Sequence, residues 1–190
     1  MASFSPIRSR QDLLQQLAAG LHPDYLFFWG HRSAAGGGIG KGCLSQWWEA
    51  PFEVDGDPYR SAEHFMMVAK ARLFGDAEIA GAILAAGTPA EAKKLGRQVR
   101  GFDEAVWTRQ RFAIVVQANV EKFGQHPALA DYLLGTGERV LVEASPVDSV
   151  WGIGLAATDP DAAAPAKWPG LNLLGFALME ARRQLRERRA

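Results

Sequence analysis

The chain has 190 residues, 48% of them hydrophobic and 22% charged, with 21 basic and 21 acidic side chains and no formal net charge. This is the composition of an ordinary globular domain long enough to bury a core. The charge balance excludes chain-wide steering toward a nucleic-acid backbone and leaves room only for a local basic patch. The single cysteine, Cys43, allows no intrachain disulfide and fits a reducing compartment, and four scattered histidines supply no metal-ligand spacing. No apolar run approaches a membrane span. Met1–Arg10 has neither the apolar core nor the cleavage site of a signal peptide, so a cytoplasmic protein without metal or cofactor is expected.

In chain order, Ser9 to Ala19 reads as a short amphipathic helix with Leu13, Leu14 and Leu17 on one side. Tyr25–Trp29 is an aromatic run with the look of a buried strand. The glycine-rich stretch Ala35–Gly42 imitates a phosphate-binding P-loop, but Ala35 stands where glycine is needed and Gly42 where serine or threonine is needed, so it reads as a flexible connector. Asp55-Gly56 is a hairpin turn signal that pairs Phe52–Val54 with Tyr59 and delivers the chain to Ser61. Ser61 is an N-cap for a helix running to Phe74. Two short helices follow, Asp76–Ala86 and Pro89–Leu95, the second capped by Thr88. Asp103 caps a long helix to about Phe123 with Trp107, Ile114, Val115 and Ala118 inward. Ala128–Leu134 is a further helix, and Val140–Glu143 a strand. Ala156–Gly170 has no periodicity and is a candidate lid. The last helix starts after Asn172 and reaches about Arg188, with Leu174, Leu178, Ala181 and Leu185 inward.

Within the Ser61 helix, Glu63, Met66, Met67 and Lys70 are spaced i, i+3, i+4, i+7 and share one face. A carboxylate and an amine on an otherwise apolar stripe are costly unless paired or used. The structural alternative is plain: Glu63 complements the helix dipole, and Lys70 snorkels to water. Gly152–Ala157 matches a dinucleotide fingerprint, but Thr158-Asp159-Pro160 follows where a helix must begin, so that reading fails. Trp151 beside Gly152 is either a core tryptophan at a turn or a flat wall for a base or sugar. Asn172, flanked by Gly170 and Gly175, is either an ordinary cap or an anion-compatible helix start.

Taken in order, these stretches resemble the NADAR domain family, also called YbiA-like. The segments that carry the likeness are Phe27-Phe28-Trp29-Gly30, Leu44-Ser45-Gln46-Trp47-Trp48, Pro51–Gly56, Ser61-Ala62-Glu63-His64 with Lys70, Gly96-Arg97, Trp107, and Lys122–Gln125. Leu133–Gly137, Leu141-Val142-Glu143, Asp148, Trp151-Gly152 and Gly170–Gly175 continue the series, so the likeness spans roughly residues 25–185. It implies a single compact domain over 1–190, mainly α (α+β), of about seven or eight helices with a few short strands, residues 1–24 being a helical extension.

The resemblance also implies hydrolysis of a ribose C–N bond, in an ADP-ribosylated guanine base or in a phosphoribosyl-amine intermediate of riboflavin synthesis. On it, Glu63 stabilises an oxocarbenium-like centre or acts as base, and Lys70 clamps a phosphate or attacks the anomeric carbon. Phe28, Trp29, Gly30, Ser45, Gln46, Trp107, Trp151 and Gly152 become the expected substrate contacts, with Arg32 and Asn172 toward phosphate. The implied partner is a nucleotide or ADP-ribose, carried on nucleic acid or free, and the implied assembly a monomer or small homo-oligomer. Some branches of the family carry Asn where Gln46 stands, Asp where Ile153 stands and a basic residue where Leu171 or Leu173 stands, which leaves the substrate open. A non-catalytic reader of ADP-ribose is the alternative.

Overall fold

The structure, a computed structural model, describes residues 6–34 and 36–189. Met1–Ser5 of the N-terminal reading and Ala35 of the P-loop-like stretch lie outside them. Seven α-helices and four short strands appear among the described residues: α1 Arg10–Ala18, β1 Tyr25–Phe28, β2 Phe52–Val54, β3 Asp57–Tyr59, α2 Ala62–Leu73, α3 Ala77–Ala85, α4 Pro89–Gly96, α5 Glu104–Gly124, α6 Pro127–Gly135, β4 Val140–Glu143 and α7 Leu173–Arg189. The mainly helical expectation with a few strands therefore holds.

The helix starts are set by side chains that accept the first free amides. Ser61 accepts from His64 N, Asp76 from Ile79 N and Asp103 from Val106 N, while Thr88 and Glu91 form a reciprocal capping box. At the hairpin both central residues, Asp55 and Gly56, adopt positive φ, the geometry that matches strand twist across a two-residue turn. Strand β1 pairs in parallel with β4, Phe28 opposite Glu143, a pairing of segments more than a hundred residues apart that no local signal announces.

Helix α2 is central and packs on α3, α4 and α5. Its residues Ala62–Val68 are all buried, so it behaves as a helix surrounded on every side rather than as an amphipathic surface helix. One face closes the main core with Phe65 and Val68, where Val115, Phe123 and Leu178 meet them. Another face, with Glu63, Met66, Met67 and Lys70, lines a cavity. The expected stripe is real, but it borders an empty space. A second, smaller core gathers Leu13, Val142, Ile153, Trp168 and Phe176. Trp168 is 2% exposed and its indole N–H donates to Ala162 O at 2.8 Å, so the stretch read as a candidate lid is anchored to this core. Burying that indole contributes roughly 2–3 kcal/mol against opening. No described helix is long and apolar enough to cross a membrane.

Candidate active site

A cavity of about 530 Å³ opens between α2, α4, the turn Ser45–Trp47 and the segment that follows β4. Three carboxylates line it: Glu63 from α2, Glu143 at the end of β4, and Asp148 just beyond. Each is held by its own element. Glu63 sits in the first turn of α2, where its backbone N–H donates to Gln46 O at 3.0 Å and anchors the helix start to the turn. Glu143 is fixed from both sides, its N–H donating to Asn172 Oδ1 at 2.9 Å and its carbonyl accepting from Ile153 N at 2.9 Å. Asp148 turns its Oδ1 back on the Val150 and Trp151 amides, at 2.9 and 2.8 Å, which sets both the carboxylate and the indole that follows it.

The electrostatics follow from dryness. Glu63 is 3% exposed, and its Oε1 has no hydrogen-bond partner among the described residues. Burial pushes its carboxyl up to about 7; the Lys93 ammonium and a hydrogen bond from the Trp47 side chain pull the other way, and Asp148 adds to the rise. Glu143 is pushed up to about 8, first by burial and then by the negative charges of Asp148 and Glu63, with Lys93 opposing. Its Oε2 is likewise buried without a partner. Two carboxyls held well above the ordinary carboxylate range thus share one pocket, a perturbation that clusters at functional sites.

Cations and rings complete the wall. Lys93 of α4 places its ammonium 5.8 Å from the Trp47 ring centroid, and Arg97 follows it in the lining. Lys70 donates to Gly96 O at 2.8 Å and lies 4.2 Å from the Phe102 ring centroid and 5.8 Å from that of Trp107. Burial lowers its pKa. Trp29, Trp47, Trp107 and Trp151 all face the cavity, and Trp29 is 56% exposed at its rim. Among the described residues no group of three or more His, Cys, Asp or Glu is arranged to hold a metal ion.

Comparison with known proteins gives this arrangement its relatives. Residues 27–186 match the NADAR domain. The chain belongs to the NADAR domain family. It is 42% identical over 166 residues to an N-glycosidase of Acanthamoeba polyphaga mimivirus, an alignment covering 84% of this chain and 95% of that protein. It is 34% identical over 145 residues to an N-glycosidase of Nostoc punctiforme, covering 76% of this chain and 86% of the relative. Its fold matches the NMR structure of the E. coli protein YbiA with a TM-score of 0.68 at 25% identity, over 89% of both chains.

Of the residues expected at a NADAR site, Glu63, Lys70, Trp29, Gly30, Ser45, Gln46, Trp107 and Trp151 line this one cavity. Four do not. Phe28 is 1% exposed and its ring belongs to the main core. Arg32 lines a neighbouring pocket with Lys41, which meets the first along Trp29, Gly30 and His31. Gly152 has a packing reason to be glycine, because a Cβ there would stand 2.9 Å from the carbonyl oxygens of Asp148 and Glu143. Asn172 is fully buried, and its amide donates to Leu141 O at 2.9 Å while its oxygen takes the Glu143 N–H. Asn172 therefore clamps the end of β4, and its side chain is not free to receive phosphate.

Sequence reasoning left Glu143, Asp148 and Lys93 out of the site. The first two stood in the family pattern, and the usable signal was Glu143 closing an otherwise apolar strand just ahead of Asp148. Lys93 sits beside Lys94 in α4, and local sequence does not separate the lysine facing the cavity from the exposed one.

Proposed function

We propose that this N-glycosidase cleaves a ribose C1–N bond inside the Glu63–Glu143–Asp148 cavity, the substrate being an ADP-ribosylated guanine or a phosphoribosyl-amine pyrimidine. The observation that carries the reading is the pair of buried carboxyls, Glu63 and Glu143, each with an oxygen that has no partner among the described residues, beside a third carboxylate and under tryptophan walls. Departure of the base leaves positive charge on the ribose ring, and negative groups in a low-dielectric pocket stabilise it far better than water does. The base departs with the electron pair of the C–N bond and needs a proton. Glu143, which holds its proton to the higher pH, is suited to deliver it. Glu63 then stabilises the ribosyl cation and takes the proton of the water that adds to C1. Asp148, oriented by the two amides it accepts, adds to the negative field.

Lys93 and Arg97 balance that charge and offer a phosphate or diphosphate its partners. Lys70 stands seven residues along α2 from Glu63, roughly 10 Å of helix rise, so the two serve different parts of a bound molecule. Its packing against Phe102 and its bond to Gly96 O favour a clamp over a nucleophile. Borohydride added during turnover separates the two: an adduct on Lys70 marks a Schiff-base intermediate, and its absence with a competent substrate leaves the clamp.

The experiment supplies a guanine-ADP-ribosylated oligonucleotide and, separately, the ribosylaminopyrimidine phosphate of riboflavin synthesis. Chromatographic release of free ADP-ribose or of ribose 5-phosphate supports cleavage and names the substrate. Tight binding of ADP-ribose with no release from either compound over hours turns the reading to a non-catalytic binding module.

A further inference from the structure

Lys122 on α5 is 0% exposed, yet among the described residues no carboxylate pairs with it. Its ammonium donates to two backbone carbonyls, Cys43 O at 2.6 Å and Ser45 O at 2.8 Å, and lies 4.9 Å from the Phe123 ring centroid. Burial pulls its pKa down to about 7, so keeping a proton there is costly, and an ordinary neutral side chain would hold a turn at less cost. The two carbonyls belong to the short 3-10 helix Lys41–Leu44 and its C-cap, Ser45, and the chain passes from there directly into Gln46 and Trp47. Those two residues adjoin Glu63: Gln46 O accepts the Glu63 N–H at 3.0 Å, and Trp47 lines the cavity together with Glu63. Three residues before Lys122 on the same helix face, the equally buried Asn119 donates to Gln46 Oε1 at 2.9 Å.

We propose that Lys122 is a positioning residue of the glycosidase site, gripping the Cys43–Trp47 turn against α5 from outside the cavity and so fixing how Trp47 meets Glu63 and how dry the Glu63 carboxylate stays. The proposal rests on the catalytic role given to Glu63 above. Lys122 does not line the cavity, so it acts on the site only through the turn it holds. Two donor bonds, to the carbonyls of Cys43 and Ser45 on either side of Leu44, fix both position and twist of the turn, which a single bond would not. The charged and titratable groups around the two ends differ. Lys122 faces the Cys43 thiol. Glu63 faces Lys93 of α4, Arg97 just after it, Glu143 at the end of β4 and Asp148 beyond it.

The test is Lys122→Met in the full chain, of similar length and without donors. Thermal melts establish folding, carbon-13 NMR follows the Glu63 carboxyl through its titration, and steady-state kinetics separate kcat from KM. With the turn loosened, water reaches Glu63: its midpoint is expected to fall from about 7 by one pH unit or more. The same loosening is expected to lower kcat at least tenfold, with KM within about threefold. A folded variant whose Glu63 titration and kcat both stay within twofold of the parent overturns the proposal. Where Met does not fold, Lys122→Gln, which keeps neutral N–H donors, is read against the same expectations. If neither folds, Lys122 is a strut of the fold alone and the proposal falls. Should Glu63→Gln keep full turnover while Lys122→Met still moves the Glu63 titration, the catalytic reading of Glu63 fails and the positioning stands.

Discussion

Replacing Glu63 with glutamine should stabilise the protein, and more so as the pH rises. The carboxyl binds its proton more tightly in the folded state, where burial takes it from 4.5 to about 7, than in the unfolded chain. Between those two values the folded state therefore holds more protons, and stability falls as pH rises through the window. At about 1.4 kcal/mol per pH unit, the full cost of ionising Glu63 above the window is roughly 3 kcal/mol. Glu63 is 3% exposed, so solvent does not screen that cost away. Glutamine keeps the shape and removes the charge. For a chain of this size roughly 3 kcal/mol corresponds to about 6–12 °C in Tm. Melts of wild type and Glu63→Gln at pH 5 and pH 8.5 provide the assay, since any error in how well the new amide is accommodated cancels in the difference between the two pH values. The expected gain is under about 1 kcal/mol at pH 5 and close to its full size at pH 8.5. A gain equal at both values, or a loss at pH 8.5, would refute the claim that a charge is being forced into a dry site.

Other consequences follow from neighbouring groups. Glu143→Gln should lower kcat by about two to four orders of magnitude and remove the alkaline limb of the pH–rate profile, since the proton lost near 8 is the one delivered to the leaving base; an unchanged alkaline limb argues against that role. Asn172→Ala should cost about 1–3 kcal/mol in chemical denaturation, because the Glu143 N–H and Leu141 carbonyl lose a buried partner together; a midpoint like the parent's would mean that water replaces the amide. Gly175→Ala should destabilise by roughly 1–3 kcal/mol or more, because a Cβ there would lie 2.1 Å from the Leu141 carbonyl oxygen; a parental Tm would show that α7 can move off β4 freely.

Local structure was legible wherever one residue sets it. Ser61, Thr88 and Asp103 each cap the helix their chemistry calls for, and Asp55-Gly56 makes its turn. What stayed hidden depends on contacts between distant segments. The parallel pairing of Phe28 with Glu143 turns an unremarkable strand end into a carboxylate aimed at α2. Lys122, inside a helix otherwise easy to read, gives no local sign that its ammonium ends against Cys43 and Ser45. Asn172 was legible as the residue before a helix, but its side chain turns inward to β4, because the tight passage of Gly175 over Leu141 brings that strand within reach. Trp168 shows the same limit: a stretch without periodicity reads as mobile until the core that its indole enters is known.

The most direct measurement compares wild type and Glu63→Gln on whichever N-ribosyl compound the wild type hydrolyses, with single-turnover kinetics under saturating enzyme and a parallel binding titration with the same compound. Loss of the chemical step by a factor of 100 or more, on the order expected for a positioned acid–base group, with binding kept within a few-fold, is the predicted result. Turnover in Glu63→Gln close to that of the wild type would contradict the account.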